Sequence, residues 1–139
     1  MFAHILIPID LSERNTRALQ TALALAEQNR ARVTLLHVVQ EVEGIRPREM
    51  RPFYDRLLET SRRRLADAAR AFVVSGLSVR MRVVVGDPAR EIVRLTTGAR
   101  VDLVVMGSHK INPARSGRGW GTTSYKVGIF CQCPILLVK

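Results

Sequence analysis

Toward the carboxyl end of this 139-residue chain, Met106-Gly107-Ser108-His109-Lys110 is followed by a stretch holding Gly117, Gly119 and Gly121, and then by Thr122-Thr123. These are the ingredients of a phosphate cradle. Glycines let the main chain approach a polyphosphate, a helix opening at Thr122 aims free N–H groups and the positive end of its dipole at it, and threonine hydroxyls add donors. Lys110, Arg115 and Arg118 add positive charge. Two carboxylates belong to the same chemistry. Asp10 ends an apolar run and reads either as a turn or capping carboxylate or as a ligand contact. Asp87, in Gly86-Asp87-Pro88, reads as a turn and helix cap with proline at the first helical position.

Other chemistries lack their residues. Asp10-Leu11-Ser12-Glu13 stands where a dinucleotide-binding Gly-x-Gly-x-x-Gly would follow the first strand, and no phosphate-binding lysine loop of the Gly-x4-Gly-Lys type occurs. The three histidines, His4, His37 and His109, have no carboxylate spacing that makes a metal set, and no nucleophile is placed beside Asp10 or Asp87. Cys131 and Cys133 are one residue apart, which is neither a redox Cys-x-x-Cys nor half a zinc site, so they read as buried structural thiols.

The elements that must position these residues alternate. Residues 5–9 and 33–39 are apolar on both faces, as in strands of a parallel sheet covered on two sides. Ser12, Asn15 and Thr16 offer caps for a helix to about Arg30, and Tyr54, Leu57, Leu58, Leu65, Ala68, Ala69 and Phe72 give residues 53–75 the helical period. Residues 79–85 alternate Val and Met with Arg80 and Arg82, the pattern of a half-exposed or edge strand. A short helix after Pro88, a strand at 101–106, a helix from about Thr122 and a strand at 135–138 complete the order.

This pattern predicts one α/β domain over residues 1–139: an open, twisted, five-stranded parallel sheet of Rossmann-like type, strand order 3-2-1-4-5, with helices on both faces. Ligands of such sheets bind outside the carboxyl ends of the strands, at the topological switch point. Those ends carry Pro8 and Asp10, His37 and Val38, Gly86 and Asp87, and residues 106–110. A hydrophobic content of 47% fills one core, while the absence of a long apolar stretch and of a basic leader predicts a cytoplasmic chain outside the membrane. The net charge of +10 is mostly arginine interleaved with acids, which reads as solvated helix faces in preference to a nucleic-acid surface.

The chain resembles the universal stress protein family from end to end, through Ile7-Pro8-Ile9-Asp10, Gly86-Asp87-Pro88, Val104-Val105-Met106-Gly107-Ser108-His109, Gly121-Thr122 and Cys133-Pro134-Ile135-Leu136-Leu137-Val138. The resemblance implies a regulatory stress-response protein that binds ATP or AMP, or ADP, with Mg2+ accompanying ATP and with at most slow hydrolysis. It implies that Gly107, Gly121 and Thr122 hold ribose and phosphates while Asp10 and Val38 face adenine; Val38 reads equally as core. Pro8, Met106, Lys110 and Thr123 flank these positions and complete the expected site. Two departures stand out. Lys110 occupies the place of the second motif glycine, and Gly121 follows Gly107 by fourteen residues where the family pattern has thirteen. Lys110 either fills the space of a phosphate or pairs with it. The alternative function is a stress-linked interaction protein without nucleotide. The apolar last strand, exposed at the sheet edge in a monomer, predicts a homodimer paired through it, as the resemblance also implies.

Overall fold

Water reaches neither face of the first strand, β1 (His4–Pro8), and all five of its residues are buried. In the computed structural model, which describes residues 1–44, 48–108 and 123–139, β1 is followed by a short 3-10 turn (Glu13–Asn15) and α1 (Thr16–Asn29). Then come β2 (Arg32–Gln40), α2 (Arg51–Val74), β3 (Val79–Gly86), α3 (Pro88–Gly98), β4 (Leu103–Gly107), α4 (Thr123–Phe130) and β5 (Ile135–Val138). The strands form one parallel sheet in the order β3-β2-β1-β4-β5, as the alternating pattern predicts.

Successive side chains of a strand point to opposite faces, so each buried strand serves two cores. Ile5, Ile7 and Ile9 join Ala22 and Ala26 of α1 and Leu65, Ala69 and Phe72 of α2 on one side. Leu6 joins Leu36, Ile92 of α3, Val104 and Val127 of α4 on the other. β3 and β5 take the two edges, and Arg80, Met81 and Arg82 of β3 are all exposed, which fits the expected edge position and not a strand with one covered face. Among the described residues no helix is long and apolar enough to cross a membrane.

Polar contacts fix the amino end of the sheet. His4 Nδ1 donates to the Ala99 carbonyl at 3.0 Å, and its Nε2 meets Thr34 Oγ1 at 2.8 Å, so one buried ring ties β1 to β2 and to the end of α3. Asp102 accepts from the main-chain N–H of Ala3 at 2.8 Å and of His4 at 3.1 Å. At the start of α3, Asp87 accepts from the Arg90 N–H at 2.9 Å and Pro88 opens the helix, as their spacing predicts. The expected caps of α1 do not form: its flanking residue is Asn15, with no side-chain cap bond. Ser12 and Asn15 are turned toward Asp10 instead, and the 3-10 turn takes up the entry to the helix.

These contacts predict where stability resides. Phe72→Ala, at a side chain 1% exposed between α2 and the sheet, lowers unfolding free energy by about 3–5 kcal/mol. Val74→Ala, two residues on and 81% exposed, changes it by no more than about 0.5 kcal/mol. Urea unfolding followed by circular dichroism measures both, and equal effects would refute this placement of the core.

Candidate functional site

The strand order reverses between β1 and β4, and the carboxyl ends of β1, β2 and β4 open there into a cavity of about 710 Å³. That volume suits a ligand of nucleotide size. Pro8 and Asp10 line it from β1 and its turn, His37 and Val38 from β2, Met106 and Gly107 from β4, and Thr123 and Ser124 from the start of α4. Pro8, Asp10, Val38, Met106, Gly107 and Thr123 of the predicted site thus meet around one space. Lys110, Gly121 and Thr122 lie outside the described residues, as do His109, Arg115 and Arg118. Gly86 and Asp87 do not line the cavity. Gly86 pairs with Gln40 on the β3 edge and Asp87 is used as the α3 cap, so Pro88 and Ile92 form that wall.

The turn after β1 is tightly specified. Asp10 Oδ1 accepts from Ser12 N at 2.9 Å, from Ser12 Oγ at 2.6 Å and from Asn15 Nδ2. Burial alone would raise the Asp10 pKa, but the Ser12 hydrogen bonds, then that of Asn15 and the charge of Arg14, outweigh it and hold the carboxyl below its ordinary value. Leu11 next to it has φ 64°, the left-handed region that a side chain disfavours. Arg64 of α2 donates to the Leu11 carbonyl at 2.6 Å and braces that conformation across the cavity mouth. His37 Nδ1 donates to the Ile9 carbonyl at 2.9 Å, which orients the ring beside Asp10.

Sequence reasoning missed the α2 wall. Leu57, Thr60, Ser61 and Arg64 all line the cavity, and Leu57, predicted as core, is exposed to it. Their spacing of three, four and seven residues marks one helical stripe, beside the core stripe of Tyr54, Leu65, Ala69 and Phe72. A stripe with one leucine, two hydroxyls and an arginine was a readable sign of a helix facing a polar ligand.

The cysteines also depart from their reading. Both thiols are only half-buried, and their Sγ atoms lie 3.4 Å apart where the chain leaves α4, because a non-helical step of two residues turns both inward against the same core. Among the described residues no group of three or more His, Cys, Asp or Glu side chains could hold a metal ion.

A family model described as "Universal stress protein family" matches residues 1–139. The universal stress protein in the QAH/OAS sulfhydrylase 3'region of Thermus aquaticus is 31% identical over 144 residues, with 100% of each chain covered. Universal stress protein MJ0577 of Methanocaldococcus jannaschii is 28% identical in its solved structure, with a TM-score of 0.85 over 100% of this chain and 96% of that one. A universal stress protein solved in complex with cAMP shares the fold at 23% identity, with a TM-score of 0.68 over 99% of this chain and 96% of that one.

The Asp10 turn gives a pH signature. A carboxyl whose folded-state pKa is depressed contributes stability that is present above its ordinary value of 3.8 and lost as pH falls through the lower folded value. Asp10→Asn keeps an acceptor but cannot titrate. The wild type therefore exceeds the variant in urea midpoint at pH 7, by a small margin because Asp10 is exposed, and the gap closes as pH drops below 3.8. A gap independent of pH would show that the charge of Asp10 does not support the turn.

Proposed function

The chain belongs to the universal stress protein family, and from that premise we propose that it is a cytoplasmic regulatory protein whose cavity binds an adenine nucleotide, ATP or AMP, without conventional turnover. The observation that carries this reading is the convergence of Pro8, Asp10, Val38, Met106, Gly107 and Thr123 on one cavity at the switch point. Pro8, Asp10 and Val38 make the adenosine side. Met106, Gly107 and Thr123, with Lys110, Gly121 and Thr122, make the phosphate side. Asp10 is the one carboxylate among the described residues that line the cavity, so Mg2+ enters with the phosphates of ATP.

Gly107 supports the same assignment. A Cβ there would meet Asn15 Oδ1 at 3.7 Å and the Arg14 carbonyl at 3.8 Å, ordinary contact distances, so the packing of the chain itself tolerates a side chain. What glycine preserves at this wall is room for a ligand. The second reading, an interaction protein that has lost nucleotide binding, is favoured by Lys110 and by the longer spacing to Gly121.

Thermal unfolding with and without nucleotide distinguishes them. A ligand that binds only the folded state stabilises it by about 2.7 kcal/mol at a hundred times Kd. ATP or AMP at millimolar concentration with magnesium raises Tm for the wild type. Gly107→Ala keeps the ligand-free Tm but loses most of that shift, and Asp10→Ala loses it for adenosine and ATP alike. A wild-type Tm unmoved by either nucleotide would overturn the nucleotide reading and favour the interaction reading.

We also infer a homodimer through β5. That strand pairs with β4 on one side only, Leu136 and Leu137 are 38% exposed, and Ile129 and Phe130 of the adjoining α4 are 55% and 62% exposed. An open apolar edge of this kind is normally paired or covered, and a two-fold axis lets it meet itself. Light scattering at tens of micromolar gives twice the chain mass, and Leu136→Asp gives the single-chain mass with unchanged circular dichroism. A wild type that is monomeric at that concentration would overturn the inference.

A further inference from the structure

The two thiols lie away from the cavity, in the turn that links α4 to the edge strand. Cys131 N donates to the Val127 carbonyl at 2.8 Å, closing the last turn of α4. Three residues on, Pro134 follows Cys133, and its carbonyl accepts from Val104 N at 3.0 Å where β5 joins β4. The intervening Cys131-Gln132-Cys133 is therefore anchored at both ends, and this anchoring holds the two Sγ atoms 3.4 Å apart. Both cysteines are free, pack against the core beneath α3 and α4, and are only partly buried.

We propose that Cys131 and Cys133 form a dithiol site that hydroperoxides oxidise to an intramolecular disulfide. The site is independent of the nucleotide reading. In the first step Cys131 Sγ, as thiolate, attacks one peroxide oxygen: an S–O bond forms, the O–O bond breaks, and the departing oxygen takes up a proton and leaves as water, or as alcohol from an organic peroxide. In the second step Cys133 Sγ attacks the sulfur of the Cys131 sulfenic acid. An S–S bond forms, the S–O bond breaks, and hydroxide leaves with the Cys133 proton as water. Two thiols are oxidised by two electrons and one peroxide is reduced, and the mass falls by two hydrogens.

The order of attack follows from the surroundings. Burial first, then the hydrogen bond and charge of Cys131, push the Cys133 thiol up to about 12, so it stays protonated at neutral pH and Cys131 is left to attack. A disulfide requires an S–S distance of about 2.05 Å, so closure draws the end of α4 and the start of β5 together. The opposite end of α4 carries Thr123 and Ser124 at the cavity wall.

Intact mass spectrometry and thiol titration of the full chain test the proposal. Reduced protein presents two titratable thiols. After one equivalent of hydrogen peroxide per chain it presents none, has lost two hydrogens, and regains both thiols with dithiothreitol. Cys133→Ser instead gains oxygen at Cys131 Sγ or crosslinks between chains, whereas Cys131→Ser, which keeps only the thiol that burial holds protonated, reacts much more slowly. Phenylarsine oxide, which bridges paired thiols, binds the reduced wild type one to one and blocks the oxidation, a readout that needs no variant to fold. Addition of oxygen without a dithiothreitol-reversible loss of hydrogen, or a disulfide found only between chains, would overturn it.

Discussion

β1 is enclosed on both faces by helices and on both edges by β2 and β4, and nearly everything else follows from that enclosure. A strand without water must be apolar on both faces and must satisfy each main-chain group through its neighbours. Its neighbours are parallel, so each connection crosses over through a helix, and the helices cover the faces that the crossovers pass. Crossing to β2 on one side and β4 on the other splits the chain outward from β1, which leaves the carboxyl ends unroofed where the two halves part. The cavity is the geometric remainder of burying one strand completely.

At that opening the chain accepts an unfavourable conformation. Leu11 is held with positive φ, which costs roughly 1–2 kcal/mol for a residue with a side chain. Asp10 fixes the following N–H and hydroxyl, while Arg64 holds the Leu11 carbonyl from another element. Local strain secured from two directions is characteristic of sites where geometry serves a ligand. The opposite end of the sheet shows the contrasting use of polar groups: His4, Thr34 and Asp102 fasten strands there, and none of the three lines the cavity at the switch point.

Much of this was legible in the residues because it depends on local periods. The two-sided apolar runs at 5–9 and 33–39, the helical period of α2 and the Asp87-Pro88 start all report constraints that act within a few residues. The resemblance carried Pro8, Asp10, Val38, Met106 and Gly107 to one cavity wall. What escaped was relational. Ser12 and Asn15 have the chemistry of helix caps, but both donate to the Asp10 carboxylate, an acceptor that the cap pattern does not take into account. Leu57 satisfies the helical period, yet a period tells which residues share a face and not what lies opposite. The cysteine pair is likewise defined by the anchors at Val127 and Val104, which spacing alone does not reveal.

The position of β1 also shapes the order in which the molecule can assemble during synthesis. Its pairing with β2 joins His4 to Arg32, and β2 is next joined to β3, so three of the five strands can pair once the chain has been made through Gly86. The other edge of β1 waits for Leu103, and its partner strand waits in turn for Ile135. Contacts of such sequence separation carry the larger loop-closure cost and form late. A nascent chain on the ribosome therefore exposes the edge of its most deeply buried strand for the time needed to translate β4, an interval in which chaperone protection matters most for this fold.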